Sequence, residues 1–169
     1  MNSHTNRLPR IVFIAVIGLA ALQYGFYDRR LPERVASHFD GEGRANGWSS
    51  RGTFWGLYGG VVGLLAGIFL IVPAILRRIP PALINMPRKD YWLAPERRER
   101  TLAVFGAQLT WFGCASLVFL VALMQLVIQA NLDRRFHLSP TTTWSMLGIY
   151  ALYLVIWLVR MVRQFRIPK

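Results

Sequence analysis

Four long stretches of this chain contain no Asp, Glu, Lys, Arg or His: residues 11–27, 53–76, 101–132 and 138–159. About 20 apolar residues cross the roughly 30 Å of bilayer hydrocarbon. Backbone in lipid must satisfy its own hydrogen bonds, and a single apolar segment does so only as a helix. The pattern therefore predicts an all-α integral membrane bundle of four transmembrane helices. The expected spans are residues 11–27, 53–76, 101–130 and 143–160, in one domain covering residues 1–169. Composition agrees, with 54% hydrophobic residues, 17% charged residues and a mean hydropathy of +0.34. A soluble domain of this size is seldom so apolar.

The first span carries a positive start and small residues at Ala20 and Ala21, as a signal peptide would. Its apolar character continues through Tyr24, Phe26 and Tyr27, which favours a retained helix. Pro73 in the second span predicts a kink or an early end. Pro95 followed by Glu96 reads as a helix start, because proline suits the first turn and a carboxylate suits the positive end of the dipole.

The net charge is +12, with the basic residues gathered at the ends of the apolar runs. That placement suits anionic headgroups and topology control rather than nucleic acid, and no nucleic-acid motif is present. With four spans, thirteen Lys and Arg fall in the N-terminal segment, loop two and the tail, against seven in loops one and three. The positive-inside rule then places both ends and loop two (77–100) in the cytoplasm, with loop one (28–52) outside. Tyr24, Tyr27, Trp48, Trp55, Tyr58 and Trp144 would mark the outer interface, and Tyr91, Trp92 and Trp157 the inner one.

Span two carries glycines four apart, Gly59, Gly63 and Gly67, and a second pair, Gly56 and Gly60. Spacing of four keeps each set on one helix face, where another backbone can approach closely. Gly106, Thr110 and Cys114 offer a matching row in span three. Packing of spans two and three within one chain is the expected use, and a homo-oligomer through span two is the alternative. Spans one and four read as outer helices. Gln108, Thr110, Ser116 and Gln125 read as helix-packing glue. No ionisable residue sits mid-span, which argues against a proton-coupled pump. One cysteine, Cys114, allows no intrachain disulfide.

Loop one places His38, Asp40 and Glu42 within five residues, and Asp133 and His137 of loop three would face the same side. These ligand types suit a divalent ion. Their spacing matches no metal motif, so a glycine-rich turn with solvated charges is favoured and no metal is assigned. No nucleophile–base pair, phosphate-cradling loop or carboxylate dyad is evident. Catalytic residues and cofactors are accordingly not expected. The seven basic residues of loop two offer a face to lipid or to an acidic cytoplasmic partner.

The run from Leu31 to Asp40, followed by Gly43, Trp48, Ser50 and Arg51, resembles the loop of a bacterial membrane-protein domain of unknown function. There a Leu-Pro segment leads to a His-Phe-Asp turn, a glycine, a tryptophan and a basic residue. The stretch from Asn85 to Arg98, with Pro87, Asp90, Tyr91, Trp92, Pro95, Glu96 and Arg97, is similar to the cytoplasmic loop of a four-helix branch of that family. The same domain occurs in longer proteins that give sporulating bacteria immunity to a secreted killing peptide and signal its presence. Ala36 stands where the family often has proline. The resemblance implies a multi-pass protein of the bacterial inner membrane with His38, Phe39, Asp40, Gly43, Trp48 and Arg51 in an outward loop. Three functions follow as expectations: non-enzymatic sensing or binding at that loop, immunity against a membrane-active peptide, or a metal-dependent membrane enzyme using the His38 loop.

Overall fold

The computed structural model describes residues 7–166; Lys169, counted above with the basic tail, lies outside them. Helix α1 spans Arg7–Tyr27. Strands β1 (Arg34–Phe39) and β2 (Ala45–Ser50) follow. Helix α2 (Arg51–Ala66) passes through a π-helical turn, Gly67–Ile71, into α3 (Val72–Ile75). A 3-10 turn at Pro81–Leu83 and the short α4 (Lys89–Trp92) lead to α5 (Pro95–Leu132) and α6 (Pro140–Gln164). Four of these rods are long and apolar enough to cross a membrane: Arg7–Tyr27, Arg51–Ile75, Pro95–Leu132 and Pro140–Gln164.

The four spans are as expected, but the chain is not all-helical. Loop one folds into an antiparallel two-stranded sheet. Period-2 alternation is absent from Arg34–Phe39 because Val35 and Ala36 are both fully buried and the register slips beside Ser37. β2 reads Ala-Asn-Gly-Trp-Ser-Ser, which has little strand propensity.

Helix α5 is the axis of the bundle. Three buried clusters lie along it. Ile84, Leu93 and Leu102 close the end bearing the basic loop. Phe13, Phe69, Cys114 and Leu117 fill the middle. Leu31, Val35, Val127, Ile128 and Leu138 join the hairpin to the other end. α1 contributes fully buried Phe13 and packs extensively on α5, so span one is an inner helix. α6 has no buried residue and is the true outer helix.

Span two crosses α5 at its π turn. Pro73 has no N–H, so the carbonyl of Phe69 one turn earlier loses its helical donor. Thr110 Oγ1 lies 3.2 Å from that carbonyl and 2.9 Å from the Gly106 carbonyl, sharing its proton between them. A Cβ on Gly106 would sit 3.2 Å from Pro73 Cβ, and one on Gly113 would sit 2.4 Å from the Phe69 ring. Close approach therefore uses Gly106 and Gly113 of α5. The glycines of span two take no part in it: Cβ atoms added at Gly56, Gly59, Gly60, Gly63 or Gly67 would meet nothing within 4 Å. The expected packing of the span-two glycines against the row Gly106, Thr110, Cys114 is thus replaced by side chains of span two lodging against the glycines of α5. The row Gly106, Thr110, Cys114 is buried as anticipated, with Cys114 Sγ 3.4 Å from the Pro9 carbonyl in α1.

Candidate functional site at the hairpin end

Turn chemistry builds the hairpin first. Asp40 Oδ1 accepts from the backbone N–H of Glu42 (3.1 Å) and of Arg44 (2.8 Å). Its other oxygen accepts from Arg44 Nε at 3.1 Å. The Arg44 backbone N–H donating to the carboxylate, aided by the Arg44 guanidinium, holds the Asp40 carboxyl below its ordinary range. The Arg44 guanidinium is raised in turn, by its hydrogen bond to Asp40 first. Gly43 closes the turn at φ +84°, and a Cβ there would lie 2.1 Å from the Leu138 carbonyl oxygen. Only glycine fits that backbone and that gap.

Loop three then docks on the turn. Leu138 N–H donates to Gly43 O (2.8 Å), and Ala45 N–H donates to Phe136 O (3.0 Å). Phe136, itself at φ 47°, sets its ring 4.8 Å from that of Trp48. The Arg34 guanidinium lies 5.5 Å from the Trp48 ring, a cation–π distance. Opposite His38 only glycine fits, since a Cβ on Gly47 would come within 2.8 Å of His38 Cβ. His38 Nδ1 pairs with Asn46 Oδ1.

Two groups tie this unit to the membrane helices. Asn131 at the end of α5 is 1% exposed and acts as a substitute strand. Its Oδ1 accepts from Ala36 N–H at 2.7 Å, and its Nδ2 donates to Ala36 O at 3.0 Å. Arg51, at the start of α2, donates through its side chain to Leu31 O at 3.1 Å and lies 3.7 Å from Asp28. Ser50 caps α2 by accepting from Thr53 N–H at 3.0 Å.

Between the hairpin and α6 lies a cavity of about 270 Å³. Ser37, His38, Phe39 and Asp40 form one wall, and Leu123, Leu147 and Trp144 face them. Trp144 Nε1 donates to Gly41 O at 3.3 Å and spans the opening. The lining of the cavity is chiefly apolar, with Ser37, His38 and Asp40 adding polar groups on the strand wall, the usual character of a small-ligand cleft. Among the described residues no three of His, Cys, Asp and Glu come together. Asp40 and Glu42 are both engaged by Arg44, and Asp133 lies 3.6 Å from Arg135.

The loop-two motif forms a separate unit at the opposite end. Arg98 donates to the carbonyls of Arg77 (3.1 Å) and Ile79 (2.7 Å), satisfying groups left open where span two ends. Arg97 lies over the Tyr91 ring at 4.1 Å, and Trp92 Nε1 donates to Phe165 O at 3.0 Å. Pro95 opens α5 with Glu96 in its first turn, as the sequence predicts, whereas Asn85 and Pro87 on the connecting loop and Asp90 in α4 are exposed.

Sequence reasoning missed Asn131, Phe136, Leu138, Gly113 and Gln23. Gln23 is 7% exposed inside α1. It donates to Val121 O (3.2 Å) and Gln125 Oε1 (2.9 Å) and accepts from Tyr58 O–H (2.8 Å). Tyr58 and its neighbour Trp55 are both buried against adjoining helices. The available signal was the amide itself, since a lone Gln in an uncharged span or an Asn at its end needs a partner in lipid.

Residues 11–62 match the family described as Domain of unknown function (DUF1648), an uncharacterised domain. The match covers α1, the hairpin and the first half of span two, which leaves α5 and α6 outside it. Neither a curated protein nor a solved structure matches the chain.

Proposed function

We propose that the chain is a non-enzymatic, multi-pass protein of a bacterial inner membrane, with both ends cytoplasmic, that binds or senses an amphipathic ligand at its outward hairpin. The observation that carries this reading is the 270 Å³ cavity between His38–Asp40 and Trp144. The motif residues Asp40, Gly43, Trp48 and Arg51 are used to build and hold the cavity wall, while His38 and Phe39 line it. Orientation rests on the excess of basic residues at the opposite end. There the exposed Arg77, Arg78, Arg88 and Arg100 face headgroups or an acidic cytoplasmic partner. The outward glycine row from Gly56 to Gly67 gives a second copy of the chain a surface for close approach.

A photoreactive residue at position 38, activated in intact cells, tests the binding reading. A discrete crosslinked product is expected there and not from position 152, which lies exposed on α6. Identical products from both positions would overturn it. The alternative reading, immunity against a membrane-active peptide, predicts that deletion of the gene sensitises cells to such a peptide.

A further inference from the structure

A second and larger cleft lies at the other end of the molecule, between α5 and α6. Its volume is about 830 Å³. The two helices are held apart by stacked rings rather than packed closely: Phe112 on Trp157 at 4.7 Å and Phe119 on Tyr150 at 4.6 Å between centroids. Trp157 Nε1 donates to Gln108 O (3.1 Å) and Tyr153 O–H to Trp111 O (3.3 Å), tying the two helices together along the cleft. The depth is walled by Val104, Ala107, Trp111, Ile156 and Trp157.

Toward the basic end the wall changes character. Gln108 reaches across to Gln164, and Arg160 borders the same space. Val104 and Gln164 also line an adjoining cavity of about 350 Å³ that carries Arg97 and Arg100. The two adjoining cavities are lined by three arginines, Arg160 in the larger and Arg97 and Arg100 in the smaller, and among the described residues by no carboxylate. Glu96 stands one turn before Arg100 on α5, and neither it nor Glu99 lines either cavity. Among the described residues none of the three arginines has a carboxylate within salt-bridge distance. From Arg97 to Trp111 the groove runs about 20 Å, at about 1.5 Å per helical residue. That is close to the depth of one leaflet, half of the roughly 40–45 Å between headgroup surfaces.

We infer that this groove is a binding site for one anionic phospholipid, with its phosphate at Arg97, Arg100 and Arg160 and an acyl chain along Val104, Ile156 and Trp157. Charge complementarity selects the occupant. A second copy of this net-basic chain would bring more positive charge to the arginines, and a zwitterionic lipid would bring an ammonium beside its phosphate, which offsets the attraction. Arginine also suits the phosphate because its planar fork matches two oxygens at once.

Native mass spectrometry of the full chain, exchanged into detergent with phosphatidylglycerol or phosphatidylcholine of identical chains, tests this. One phosphatidylglycerol per monomer should survive, at least tenfold in excess of phosphatidylcholine. The variant R97Q/R100Q/R160Q should lose that preference, while R29Q/R134Q/R135Q, which removes the same charge from exposed positions at the hairpin end, should keep it. Val104→Trp or Ile156→Trp, filling the groove from either helix, should lower retention of the lipid in a monomer whose helicity is unchanged. Equal retention of both lipids, equal loss in the two arginine triples, no effect of either tryptophan, or a bound second chain in place of lipid would each overturn the assignment.

Discussion

At the scale of single residues, the hairpin depends on a few groups that have no substitute. Asn131 satisfies both the N–H and the C=O of buried Ala36. Asn131→Leu leaves both unpaired, and buried polar groups without partners cost about 1–3 kcal/mol each. The expected result is a bundle that still inserts but whose hairpin is cut by protease, with a loss of about 2–4 kcal/mol in detergent unfolding. An unchanged unfolding curve would show that Ala36 finds other partners. Asp40 makes the prediction for pH. Its folded pKa is depressed, chiefly by the Arg44 backbone N–H, so its contribution is fully present above the unfolded value of about 4. The contribution is lost as pH falls through the depressed folded value. Amide exchange of Glu42 and Arg44 should therefore accelerate only on acidification below the ordinary carboxylate range. In Asp40→Asn that exchange should be fast at neutral pH and lack the acid step.

Elements in this protein meet by insertion of side chains into glycine gaps. The π turn in span two lets the chain pass Pro73 without breaking, and Thr110 serves the carbonyl thereby freed. Gly113→Leu must displace the Phe69 ring, and overpacking of this kind costs about 1–3 kcal/mol or more. A Cβ at Gly63 meets nothing within 4 Å, so Gly63→Leu should leave the monomer as stable as before, within about 0.5 kcal/mol. Comparing the two variants by unfolding and by size in mild detergent separates the roles. Loss of a dimer in Gly63→Leu with an intact monomer supports a pairing face on span two. Unfolding of Gly63→Leu instead would contradict the packing described above.

The whole molecule is polarised. One end holds the hairpin, its cavity and loop three, and the other holds the basic loop and the mouth of the α5–α6 groove. A cysteine at position 46, introduced in a Cys114→Ser background, reads the orientation directly, because Asn46 is exposed on β2. An impermeant maleimide should label it in intact cells, and a cysteine at position 88 only after permeabilisation. The reverse pattern would place the hairpin in the cytoplasm and remove the basis for an outward ligand.

The sequence by itself determined how many spans there are, nearly where each begins and ends, and which loops carry the unusual residues. The reason is the bilayer, which excludes charge and forces an isolated apolar backbone into a helix. Tertiary structure alone decided which faces of those helices meet. In lipid the outward face is as apolar as the inward one, so hydrophobic periodicity does not mark the interior. That is why the glycines of span two pointed to the wrong partner and why α1 is inner where an outer helix was expected. The hairpin was hidden for a related reason. Its strands are short and poor in strand-forming residues, and they are held by Asn131, Phe136 and Leu138, which lie some 90 residues further along the chain.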